Sequence, residues 1–257
     1  MWQALQVSHF LRSLGPVTEF HRQLTTLERC CNGVEPLPRA LSKMYGFLNM
    51  PAEEFVMPGI RKWEKDLGRI FTPIQHKQII YLAVNSSVCS KTQEANYKLL
   101  VQWYYTPERL HQFDKEVDER CWRCGREQGT LLHIFWYCQK IRHYWEEVRR
   151  ISQKFSEVLL PDDPALFLLH SSEVPVQKYR KSVVCHMINA ARAGVTSKWR
   201  DICPPSIAGW LKRIEEVGAM EDLVRTAQNR RIQYEEIWSG WNVFMRSEEG
   251  KVVIEGN

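Results

Sequence analysis

Apolar residues recur at three- and four-residue intervals along most of this chain, the period of a helix with one buried face. Trp2 to Leu14 places Leu5, His9 or Phe10, and Leu14 on a stripe, and Gly15-Pro16 stops it. Thr18 caps a second predicted helix through about Cys31, with Phe20, Leu24 and Leu27 inside. A third runs from Leu37 to Leu48, and Pro51 and Pro58 bracket a loop. The stretch from Ile60 sets Trp63, Leu67 and Ile70 on one face, with Arg61, Lys62, Lys65 and Arg69 around it. Thr72-Pro73 and Thr106-Pro107 repeat a cap followed by proline at the first helical position. The first opens a helix to about Val84, with Ile79, Ile80 and Leu82 inside; the second opens a short one. Ser90 begins the helix between them.

After Cys138 the pattern is the clearest in the chain: Ile141, Trp145, Val148, Ile151 or Ser152, Phe155 and Val158. Leu160-Pro161 ends it. A short apolar segment follows, and then a helix from Tyr179 to Trp199 through Val183, Met187, Ala191 and Val195. Pro204-Pro205-Ser206 caps another, carrying Ile207, Trp210, Leu211, Ile214 and Val217. Leu223 to Phe244 reads as one further helix, and the tail from Ser247 as frayed. No alternating strand pattern exceeds a few residues. The expected fold is mainly α. It comprises a helical region over residues 1–113, then a cysteine-rich knuckle and a helical C-terminal domain over 114–257, joined by the charged link Asp114 to Arg120.

Composition changes this picture little. Of 257 residues, 44% are hydrophobic and 25% charged, as in a globular protein with a real core. A net charge of +5 fits a nucleic-acid partner without requiring one. No secretory leader and no run of about 18 apolar residues is seen, so neither secretion nor membrane insertion is expected. The eight cysteines should then stay reduced, and a C-x-x-C pair points to metal or redox use. Redox use would want a βαβ context, which is missing.

Candidate chemistry concentrates in CWRCGREQGTLLHIFWYC, residues Cys121 to Cys138. Cys121, Cys124, His133 and Cys138 form a C-x2-C-x8-H-x4-C pattern, a Cys3His set suited to one tetrahedral zinc. Gly125 supplies the positive φ that such a knuckle needs. The alternative is three buried cysteines and a core histidine. Trp122, Arg123 and Arg126 sit on the loop, and Lys140 and Arg142 follow the last ligand. They could meet phosphates and an unpaired base, or the arginines could solubilise the loop while Trp122 packs; packing is favoured for Trp136. Lys62, Lys65 and Arg69 form a second basic face, or a solvated face with Glu64 and Asp66 interleaved. Asp162-Asp163 precedes Pro164 and reads as a turn with an N-cap rather than a two-metal carboxylate pair. No constellation of acid, base and nucleophile suggests a free-standing enzyme.

Several blocks together resemble a known family. KWEKDLGRIF (from Lys62), YYTPERL (from Tyr104), CWRCG, GTLLHIFWYC, WEEV (from Trp145) and KWRDICPPSIAGWLKRI (from Lys198) are similar, in order and spacing, to the carboxy-terminal part of LINE-type, non-LTR retrotransposon reverse transcriptases. The histidine follows the second cysteine at longer spacing than in retroviral knuckles. The resemblance implies a helical, basic region plus a cysteine-rich segment that binds template RNA or other single-stranded nucleic acid. It implies a polymerase domain as a further partner, cytoplasmic and nuclear occurrence as a ribonucleoprotein, and no catalysis from this stretch, which lacks the endonuclease and polymerase palm. The rival expectation is a zinc-stabilised helical module, or element remnant, that docks on a protein.

Overall fold

The first described helix shows how tightly local signals set its limits. In the computed structural model, which describes residues 57–171 and 178–255, α1 (Pro58–Leu67) starts on its proline. It stops at Gly68, whose φ of +63° ends the ladder and lets its N–H donate to Lys65 O. The expected stripe therefore closes early: Ile60 and Trp63 are buried, but Ile70 is 88% exposed. The helices expected before residue 57 lie outside the described residues.

α2 (Pro73–Asn85) opens on a full capping box between Thr72 and Gln75, and α3 (Ser90–Leu100) follows. On α2, Ile79 is buried, but Ile80 faces solvent. α4 (Pro107–Phe113) carries the expected proline, although Thr106 is buried and makes no side-chain cap. α5 (Gln139–Ser156) buries Ile141, Trp145, Val148, Ile151, Ser152 and Phe155, the predicted stripe, and ends at Glu157. Asp163 caps α6 (Pro164–Leu169) by accepting from Ala165 N–H, as the turn reading expected. Then come α7 (Lys178–Ser197), α8 (Ile207–Ala227, capped by Ser206), α9 (Arg231–Arg246) and α10 (Glu248–Glu255). Two expectations change here. The single helix over 223–244 is broken at Asn229, whose φ is +56°, and the tail is helical.

The fold is mainly helical. Among the described residues there is no strand, only an isolated antiparallel bridge between Arg120 and Gln128. No described helix is long and apolar enough to cross a membrane.

α7 lies at the centre, packed against α3, α5, α6, α8 and α9. Val183, Val184, Met187, Ile188, Ala191 and Val195 are all buried, as expected of a helix covered on every side. Its neighbours hydrogen-bond to its backbone: Tyr144 Oη donates to Ala191 O (3.1 Å), and Trp210 Nε1 to Met187 O (2.9 Å). Its buried polar residues find partners in turn. Asn189 Oδ1 accepts from Asn96 on α3 at 3.0 Å, and Asn189 Nδ2 donates to Ser86 Oγ at 2.9 Å.

The expected boundary at Asp114 to Arg120 does not divide the molecule. Val56–Asn257 forms one compact unit, with a core that runs from Ile60 to Trp241. The reason is packing across the link, since Asn96 reaches Asn189 and Gly129 sits against Pro107. A Cβ on Gly129 would lie 2.6 Å from Pro107 Cγ. Gly129→Ala should therefore destabilise the whole unit by about 1–3 kcal/mol. A lowered urea midpoint, with the same shift by circular dichroism and by tryptophan fluorescence, would check it.

Candidate metal centre

The chain reverses at Arg120–Gln128, and the loop between them carries the first two ligands. Cys121 N–H donates to Glu127 O (2.8 Å), and Gly125 N–H donates to Cys121 O (2.7 Å). Gly125 has a φ of +66°, the conformation its position in the motif predicts. The other two ligands flank a π-helical turn, His133–Tyr137. In an α-helix, residues five apart would stand about 140° round the axis from each other. The wider turn stacks them, closed by Cys138 N–H to His133 O at 2.8 Å. Thr130 Oγ1 accepts from His133 N–H and starts this segment.

The four donor atoms converge within 4.8 Å of one another. Cys121 Sγ lies 3.9 Å from Cys138 Sγ, and Cys124 Sγ lies 3.4 Å from His133 Nε2. A tetrahedron with bonds of about 2.3 Å has edges of about 3.8 Å, so the residues fit a metal ion. The sulfurs are too far apart for a bond of about 2.05 Å, and all six described cysteines are free. Cys121, Cys138 and His133 are buried, and Cys124 is half-buried.

The local field favours thiolates at one side of the cluster. Burial opposes ionisation of Cys121, but hydrogen bonds from His133 and from backbone N–H groups prevail and bring its pKa down to about 6. Its hydrogen bond to that thiol raises His133 to about 9, against burial. Burial pushes the Cys138 thiol up to about 11. Glu127 Oε2 stands 3.2 Å from His133 Nδ1 and so orients the ring with Nε2 toward the cluster. Spacing rules had not singled out Glu127; an acid inside the ligand loop is the signal that would have found it.

The predicted phosphate-binding residues separate into two groups. Arg123 must be corrected. It is 2% exposed, and its guanidinium donates to Ile134 O (2.7 Å) and Lys198 O (3.0 Å), so it ties the loop to the π-turn and to the end of α7. Trp122 is half-buried, edge-on to Trp199 at 5.4 Å with Arg200 over its ring, and is no free platform. Arg142 is committed to Asp162 at 2.7 Å, and Arg69 to Asp163 at 2.9 Å. Each aspartate of the pair thus carries an arginine that no spacing predicted. Arg126, Lys140, Lys62 and Lys65 remain exposed. Trp136 is buried, stacked on Phe167 at 5.4 Å and tilted on Trp145 at 5.2 Å.

These observations define a helical domain with a Cys3His cluster that could hold a metal ion. No family model matches the chain.

Metal binding should release protons, since Cys138 and the His133 ring must each give one up, so affinity should rise from about pH 6 to about pH 9. Cys138→Ser should abolish stoichiometric binding in elemental analysis. Glu127→Gln should weaken it by about 10- to 100-fold in a chelator competition while leaving the stoichiometry intact.

Proposed function

We propose that this chain binds RNA or another single-stranded nucleic acid, as a non-catalytic accessory region of a LINE-type retrotransposon reverse transcriptase. One zinc ion, held by Cys121, Cys124, His133 and Cys138, would stiffen the loop that meets the phosphates. One observation carries this reading. Arg126 and Lys140 are exposed on the two segments that supply the ligands, and no carboxylate among the described residues holds either one. A loop kept rigid by metal loses little entropy on binding, so a few contacts go further. The family resemblance of the surrounding blocks supports the same reading, and with it cytoplasmic and nuclear occurrence as a ribonucleoprotein. Lys62 and Lys65, exposed on α1, offer further phosphate contacts, whereas Arg69 and Arg142 serve ion pairs.

A second reading has its own observation. Ile70 and Ile74, at the corner between α1 and α2, are 88% and 72% exposed, as in a surface that a protein covers. A polymerase domain is the partner this reading expects.

A salt titration separates the two. Affinity for a labelled single-stranded RNA should fall log-linearly with salt, by about 0.7 in slope for each phosphate held. Arg126→Ala with Lys140→Ala should flatten the slope by about 1.4 without changing zinc content. An unchanged slope would remove the knuckle as the grip, and no binding at low salt would favour the protein partner.

A further inference from the structure

A cleft of about 360 Å³ opens between α3, the link to α4 and the end of α7, and the metal cluster does not line it. Lys91 and Lys98 stand on one side, Trp103 and Tyr105 on the link, and Trp199 opposite. Trp103 is 60% exposed and Tyr105 44%. We propose that this cleft holds a single strand of nucleic acid, with an unpaired base on Trp103 and a phosphate toward Lys91. The inference rests on the nucleic-acid reading above and gives that reading a location away from the knuckle.

The backbone that carries the ring is held in place rather than left to a loose loop. Trp103 N–H donates to Lys98 O at 2.8 Å, which closes the end of α3. The preceding residue, Gln102, is buried with a φ of +52°. Its side-chain amide donates to Asp66 at 2.7 Å, and its carbonyl accepts from Arg109 at 3.1 Å. A turn fixed in this way leaves less backbone to be ordered when a ligand binds.

The opposite wall is an aromatic ladder. Tyr104 meets Trp199 at 5.3 Å, Trp199 meets Trp122 at 5.4 Å, and Arg200 lies over both tryptophans. Arg109 covers the ring of Tyr105 at 4.7 Å. Arg123 joins this wall to the ligand loop through Lys198 O. Among the lining residues Glu94 is the one acid, and Lys98 neutralises it at 2.7 Å.

Cations interleaved with open aromatic faces suit a strand whose bases and phosphates alternate. A protein-docking patch would instead concentrate apolar side chains and deplete lysine at its centre. A duplex keeps its base faces stacked and has none to offer Trp103.

The test uses the full 257-residue chain loaded with zinc, a labelled oligouridylate and a duplex RNA of equal length. Trp103→Ala should weaken oligouridylate binding by about fivefold to a hundredfold, with the melting temperature unchanged because the ring is exposed. Trp103→Phe should retain most of the affinity. Lys91→Ala should lower the salt slope by about 0.7. If the wild type binds oligouridylate and Trp103→Ala binds it equally well, the cleft is overturned and the general reading survives. Tighter binding to the duplex, insensitive to Trp103, also overturns the cleft. If the wild type binds neither RNA at low salt, the nucleic-acid reading itself fails.

Discussion

A helix surrounded on every side must bring its own hydrogen-bond partners into the core, and α7 is under that constraint. Its buried polar residues cannot reach water, so each one fixes a neighbour. Asn189 holds Ser86 and Asn96 from α2, α3 and their connection. Arg192 donates to Leu168 O at the end of α6 and to Asn189, beside His170. No carboxylate is among these partners. Burial pushes Arg192 down to about 9 and keeps His170 neutral, well below its ordinary value. His186, stacked on Trp238, stands 3.2 Å from Glu221, a carboxylate only 1% exposed that also accepts from Trp238 Nε1. Buried polar groups with defined partners specify one arrangement of helices, because any slip leaves a donor or charge unpaired in a low dielectric.

The same logic governs the ligand loop. Three thiolates and an imidazole around a divalent ion leave one negative charge uncompensated. Arg123, adjacent in sequence to Cys124, brings a buried cation into that region and anchors it on two carbonyls. Its placement thus attaches the loop to the π-turn and to the end of α7, and the two carbonyls account for a guanidinium inside. The surface is left to Arg126 and Lys140. The aromatic side chains divide similarly: Trp136, Trp145 and Phe167 pack beneath the π-turn, whereas Trp103 remains open at the cleft.

Ion pairs decide which of the remaining cations face a ligand. Asp162 and Asp163 sit at the start of α6, where one of them caps the helix, and each draws an arginine from elsewhere in the chain. The pairing fixes α6 against α5 and the end of α1, and takes Arg69 and Arg142 from the set that could hold phosphate. Both pairs are partly exposed, so their worth is modest and falls with salt.

Most of the described helices were legible in the sequence, because amphipathic periodicity, cap residues and proline at the first position act over a few residues. α5 with its stripe, the Thr72 capping box and the Ser206 and Asp163 caps all follow from local rules. So does the Cys3His set, because ligand type and Gly125 are local too. The break at Asn229 and the early stop at Gly68 show where periodicity alone overruns a turn. Tertiary structure decided the rest. It stacked His133 and Cys138 through a π-turn, brought Glu127 to the ring, drew Arg123 inside and left Trp103 outside. It also packed residues 57–113 and the segment after them into one unit. The burial of Arg123 depends on its meeting Lys198 O, 75 residues away, and no local pattern carries that pairing.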